Sequence, residues 1–220
     1  TQLIMKKNLL VLAFLVGLLT CCKSEDAPIK PVKPTDPGSI NKEYMSRAET
    51  TFANIFKYYW SDKVRMMFGS YPNTLGTPQE PSSPDYNSHA YLWGLGSVVS
   101  AFNAIVQNTD NVDFRMTYES RLKETLLKYY NTTKEPMCFG CFVNPHDQRL
   151  YDDAIWVGID LADLYSKTKD SWYLDYAKSV WNFVLSGKDD ELGGGVYWDE
   201  NAKDSKNTCS NAPAVVLALK

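Results

Sequence analysis

The chain has 220 residues, 44% of them hydrophobic, with 23 Lys and Arg against 26 Asp and Glu. No basic run is present, which argues against nucleic acid as a partner, and about 180 residues beyond the leader and spacer suffice for one core. Aromatic residues stand out, at 6 Trp, 14 Tyr and 9 Phe; besides filling a core, such rings suit a groove where sugars stack, because an aromatic face offers apolar area beside a polar rim.

Residues 1–22 read as an export signal. Lys6 and Lys7 precede an apolar run of eleven residues, Leu9 to Leu19, that stops at Thr20-Cys21-Cys22. A basic start, a short apolar stretch and this exit describe a secretory leader, and the run falls short of the roughly 20 residues that span a bilayer. The cysteines resemble a bacterial lipobox, which implies acylation at Cys21 or Cys22 and membrane attachment through that anchor alone. Residues 23–38 follow as a tether, in which Pro28, Pro31, Pro34 and Pro37 recur with the three-residue period of a polyproline II helix. Glu25-Asp26, just past the cysteines, resembles the surface-export signal of Bacteroidetes lipoproteins, so the expected location is the outer membrane or cell surface. Setting aside the two leader lysines leaves 21 basic against 26 acidic residues, a balance of −5.

From 39 to 220 the pattern is helical. Phe52, Ile55, Phe56 and Tyr59 fall at helix spacing, followed by Leu92, Leu95, Val99, Phe102 and Val106. Tyr118, Leu122, Leu126 and Tyr129 mark a third helix. Ile155, Ile159 and Ala162 mark a fourth, and Tyr173, Ala177, Val180 and Val184 a fifth. A sixth opens at Ser210-Asn211 with Pro213 in its first turn. The one strand-like stretch, Gly193-Gly194-Gly195-Val196-Tyr197-Trp198, predicts a small hairpin on a loop. Short links such as Lys169-Asp170-Ser171 alternate with long ones at 69–86, 131–151 and 187–209, and loops of that length in a compact domain are usually functional. Helical pairs with elaborate loops at one end predict a toroid of helices with a site at that end; an irregular helical repeat would share the pattern.

Cys138-Phe139-Gly140-Cys141 has metal-ligand spacing, with His146 nearby. A zinc site needs four ligands, however, and no second pair exists. A local disulfide or buried thiols fit better, and neither metal nor cofactor is expected. Tyr151-Asp152-Asp153 sits where a long loop meets the fourth helix. Acids at a helix start can simply cap backbone N–H groups. With Trp156 one turn on, the paired carboxyls also suit glycoside hydrolysis, which needs two of them about the scissile bond. Adjacent Cα atoms lie about 3.8 Å apart, which sets diverging carboxyls roughly 5–7 Å apart. Retaining enzymes use about 5–5.5 Å and inverting ones about 6.5–9.5 Å, so the pair leans to retention.

Tyr151-Asp152-Asp153-Ala154-Ile155-Trp156-Val157-Gly158-Ile159 resembles the signature helix of glycoside hydrolase family 76, the endo-α-1,6-mannanases. The stretch from Gly193 to Trp198 and Lys206-Asn207-Thr208-Cys209-Ser210-Asn211-Ala212-Pro213-Ala214 resemble that family in the same order, and Ala90-Tyr91-Leu92-Trp93 fits upstream. The resemblance implies an all-α fold, the (α/α)6 barrel of six helical hairpins in a toroid, of which this chain carries roughly the first half. It implies a monomer that cleaves α-1,6-mannosidic linkages in mannan, with Asp152 as nucleophile and Asp153 as acid/base. Trp93, Tyr151, Trp156, Trp198, Asn207 and Thr208 are the implied sugar contacts. Position 154, often polar in the family, is Ala154 here, which affects a local contact and not the chemistry. Two alternatives stand beside this reading. One is a glycan-binding surface lipoprotein without catalysis. The other is another (α/α)6 carbohydrate-active enzyme, a sugar epimerase or unsaturated-uronyl hydrolase, which would want a histidine or lone acid in its cleft; only His89 and His146 are available. Transfer of mannan chains in place of hydrolysis also stays open.

Overall fold

The computed structural model describes residues 37–72, 89–143 and 148–220, with side chains from residue 41. The leader, Cys21, Cys22 and the spacer up to residue 36 lie outside the described residues, as does His146. Helix α1 runs Pro37–Tyr59. It begins inside the expected spacer, where a proline suits the first helical position because its missing N–H would have no helical partner there. A minimal hairpin follows, β1 (Trp60–Ser61) against β2 (Met66–Met67). Next come α2 (Leu92–Asn108) and α3 (Val112–Tyr129), the latter capped by Asn111, whose side chain accepts from Phe114 N at 3.0 Å. A second hairpin pairs β3 (Tyr130–Asn131) with β4 (Cys138–Phe139). Helices α4 (Tyr151–Thr168) and α5 (Ser171–Ser186) are joined by Lys169 at φ 61° and by Asp170, which caps α5 by accepting from Trp172 N. One 3-10 turn, Glu191–Gly193, precedes α6 (Thr208–Ala218). Among the described residues no helix is long and apolar enough to cross a membrane.

Residues 41–220 form one compact unit with α4 at its centre, buried on nearly every face and packed against α2, α5 and α6. Side-chain contacts fix the directions. Trp93 shares a cleft with Asp153 and Trp156, Asn103 donates to Asp160 at 2.8 Å, and Gln107 donates to the Asp163 carbonyl at 2.9 Å. The residue numbers rise together, so α2 and α4 are parallel. Likewise Cys209 meets Asp152, Leu217 packs at Gly158 and Lys220 pairs with Asp163, so α6 is parallel too. The outer helices return the chain: Ala90 N donates to Met67 O just past α1, the Tyr129 hydroxyl at the end of α3 donates to Ala90 O, and Gly187 past α5 lies against Tyr151. This alternation of inner α2, α4, α6 with outer α1, α3, α5 is the arrangement expected of part of an (α/α)6 barrel. Large rings fasten α1, with Phe52 meeting Phe102 at 6.0 Å and Phe114 at 5.3 Å between centroids.

The structure departs from the sequence reading at α6 and at the glycines. Asn207 O accepts from both Ser210 N and Asn211 N at 3.1 Å. The helix therefore opens at Thr208, and Pro213 lies beyond its first turn. The glycine stretch makes the 3-10 turn and one isolated bridge, Lys188 to Val196, instead of a hairpin. Gly195 has φ +92°, which no strand adopts, and a Cβ there would lie 2.3 Å from Asn211 Oδ1. The Asn211 side chain fills that space, accepting from Val196 N and donating to Val196 O, both at 2.8 Å.

Candidate active site

Because the inner helices are parallel, the N-termini of α2, α4 and α6 gather at one end, where the aligned peptide dipoles of each sum to roughly half a positive charge. Asp152 and Asp153 occupy the first turn of α4 and are only 8% and 9% exposed. They are not its cap. That position belongs to Leu150, which makes no side-chain capping bond, and Asp152 Oδ1 is buried without a partner.

The two carboxyls stand in different surroundings. Burial, and after it the neighbouring Asp152, push the Asp153 carboxyl from 3.8 up to about 6, against a hydrogen bond with Cys141 that holds it down. Cys141 is itself pushed up to about 12, mainly by burial, so its thiol stays protonated and donates. Asp152 instead faces Cys209 in the first turn of α6, whose thiol is raised by desolvation and then by its hydrogen bond to Asp152. Thiols are weak donors. They orient the carboxyls without neutralising them as a lysine or arginine would.

Asp153 opens onto a cleft of about 310 Å³ lined by Leu92, Trp93, Gly96, Ser97, Ser100 and Trp156, at the lower end of the roughly 300–1,000 Å³ of small-molecule sites. Trp93 is 57% and Trp156 42% exposed, so α2 and α4 each contribute one accessible ring beside the acids. The clefts around Thr109 and Asp110 lie at the opposite end of the inner helices and hold no such pair.

Of the residues singled out in the sequence, Asp152, Asp153, Trp93 and Trp156 come together. Thr208 is the exposed first residue of α6, next to Cys209, and Asn207 is the N-cap of that helix. Trp198 is partly exposed on the loop before α6, and its carbonyl accepts from Tyr151 N at 3.0 Å. Tyr151 is buried, stacks on Phe183 at 4.4 Å and hydrogen-bonds Ser186, so it anchors α4 to α5 in the core.

Sequence reasoning missed Cys141 and Cys209 as partners of the acids. Cys209 has a signal, its place beside Thr208. Cys141 has none, because it reaches Asp153 only once the loop doubles back and Cys141 N donates to Gln148 O at 2.9 Å. Cys138 and Cys141 are free, buried thiols, and among the described residues no group of His, Cys, Asp and Glu could hold a metal ion.

The family model described as glycosyl hydrolase family 76 matches residues 43–220. A family 76 glycoside hydrolase from a bovine Bacteroides thetaiotaomicron strain is 28% identical with a TM-score of 0.66, over 80% of this chain and 36% of that one. A family 76 mannosidase from Bacteroides thetaiotaomicron is 24% identical with a TM-score of 0.66, over 80% and 47%. An α-1,6-mannanase from a Salegentibacter species, solved with α-1,6-mannotetrose as an inactive variant with two consecutive aspartates replaced by alanine, is 20% identical with a TM-score of 0.56, over 80% and 44%. The chain thus spans less than half the length of each. No curated protein matches it in sequence.

Proposed function

This chain belongs to glycosyl hydrolase family 76, and we propose that it carries the catalytic aspartates of a retaining enzyme that cleaves α-1,6-mannosidic linkages in mannan. The observation that carries this reading is the pair itself: adjacent buried carboxyls beside two accessible tryptophans, with Asp153 keeping its proton to about pH 6. The Salegentibacter mannanase, inactive with two consecutive aspartates replaced and bound to an α-1,6-linked tetrasaccharide, lends support to an aspartate pair as the reacting groups and to the substrate. In this reading the Asp152 carboxylate attacks the anomeric carbon while Asp153 gives its proton to the departing oxygen, leaving a glycosyl ester on Asp152. Asp153, now ionised, takes a proton from water as that water attacks the same carbon and frees Asp152. Trp93 and Trp156 offer the faces on which sugar rings stack.

The roles are tested in the intact protein with an α-mannoside bearing an activated aryl leaving group. Asp152→Ala should abolish turnover. Asp153→Ala should still release the aryl group, since a good leaving group needs no proton, and then stall until azide frees a mannosyl azide of retained configuration. On polymer, the loss of the general acid should cost roughly 10²–10⁴-fold. The opposite behaviour of the two variants would swap the roles, and near-normal rates for both would sink the reading.

A further inference from the structure

Helix α4 begins without a side-chain cap of its own, and the segment 198–200 holds its entry instead. Tyr151 N donates to Trp198 O at 3.0 Å, Leu150 bridges Asp199, and Glu200 N donates to Arg149 O at 3.3 Å. A backbone pairing this short is marginal alone. Side chains complete it. Arg149 is fully buried; its Nε donates to Glu200 Oε2 at 2.8 Å and its Nη2 to Glu200 Oε1, while Nη1 donates to Pro136 O at 2.6 Å and Lys134 O at 3.2 Å. The guanidinium also lies 4.7 Å from the centroid of Phe183, the ring on which Tyr151 stacks. Lys134 Nζ reaches Glu200 at 3.1 Å.

A buried ion pair adds little stability, because desolvation offsets most of the attraction and apolar residues of similar volume do as well. What a two-pronged arginine–carboxylate pair does supply is a fixed angle along with a fixed distance. Here that angle sets the chain entering α4, three residues before Asp152, against the segment carrying Trp198, two residues before Glu200. We propose that Arg149 and Glu200 are positioning residues that hold the Asp152–Asp153 turn and the Trp198 segment as one rigid body. The inference rests on the reading of the two aspartates as the reacting carboxyls. The Arg149 guanidinium directs its hydrogen bonds to Glu200, Pro136 and Lys134, so its effect on the acids is through placement. Loosening the fork would let the first turn of α4 shift and admit water to it. A misplacement of about 1 Å can cost roughly 10²-fold in rate, and water reaching Asp153 would remove the burial that keeps it protonated.

The test is made on the intact protein with Arg149→Lys, which keeps the charge and loses the fork. The folded variant, checked by near-ultraviolet circular dichroism, should lose roughly 10²-fold in kcat on an aryl α-mannoside, with a smaller change in KM. The ionisation midpoint of Asp153, read by carboxyl NMR, should fall from about 6 toward 3.8. A pair that only stabilised the fold would lower the melting temperature and leave that midpoint in place, so a folded variant with the wild-type midpoint overturns the proposal. Should Arg149→Lys not fold, Glu200→Gln, which keeps the shape and weakens the fork, is read in the same way. A wild-type protein that cleaves no mannoside would count against the proposed function alone, and the midpoint would still decide the positioning role.

Discussion

Raising Asp153 from 3.8 to about 6 means that the folded protein binds a proton there more tightly than the unfolded chain does. Stability therefore falls as pH rises through that window, and above it the buried charge costs on the order of 3 kcal/mol. Asp153→Asn removes the ionisable group and keeps the shape. Calorimetry should find this variant melting several degrees above wild type at pH 8, with the gap closing toward pH 4 while activity is lost. A gap that is equal at both pH values would show that the carboxyl is not raised. The adjacency of the two acids, and Trp156 one turn on, were legible in the sequence. The raised Asp153 carboxyl was not, because it arises from burial and then from Asp152, opposed by Cys141, which reaches Asp153 where its N–H donates to Gln148 O. The burial of Tyr151 was not legible for a related reason. Position along a helix does not tell which face meets α5, and Phe183 and Gly187 leave room for that ring in the core.

Helix α4 is pressed between α5 and α6 at Gly158, where a Cβ would lie 2.8 Å from Val180 Cγ1 and 3.1 Å from Leu217 Cδ2. Val180 is fully buried and β-branched, so it cannot readily turn aside. Gly158→Ala gains about 1 kcal/mol of helix propensity against roughly 1–3 kcal/mol of overpacking, and the rigid neighbours on two sides favour the second. Urea unfolding of the intact protein should show a net loss of roughly 1–2 kcal/mol; equal or greater stability would mean that α5 and α6 can yield. Stripes such as Leu92, Leu95, Val99, Phe102 and Val106 are buried as their spacing implies, so the helices were readable from period alone. The two hairpins were not, since two residues cannot display an alternation. The start of α6 was also misplaced, because Asn207 O already collects two N–H groups ahead of the expected Ser210.

Three parallel inner helices put their N-termini, the acid pair and two exposed tryptophans at one end, and the outer helices bring the chain back between them. Alternating loop lengths pointed to a toroid with a site at its elaborate end, yet a helical repeat fitted that pattern equally well. The three motifs in register, at 151–159, 193–198 and 206–214, separated the two, and the match over residues 43–220 agrees with them. Within the glycine motif, Gly195 makes room for Asn211, which fastens the loop at Val196 to α6. Whether Asp152 and Asp153 cleave mannan is tested by incubating the intact protein with linear α-1,6-mannan and sizing the products. Mannooligosaccharides are expected from the wild type and none from Asp152→Ala, whereas mannan that is bound by the wild type yet stays at full length would rule out cleavage by the pair.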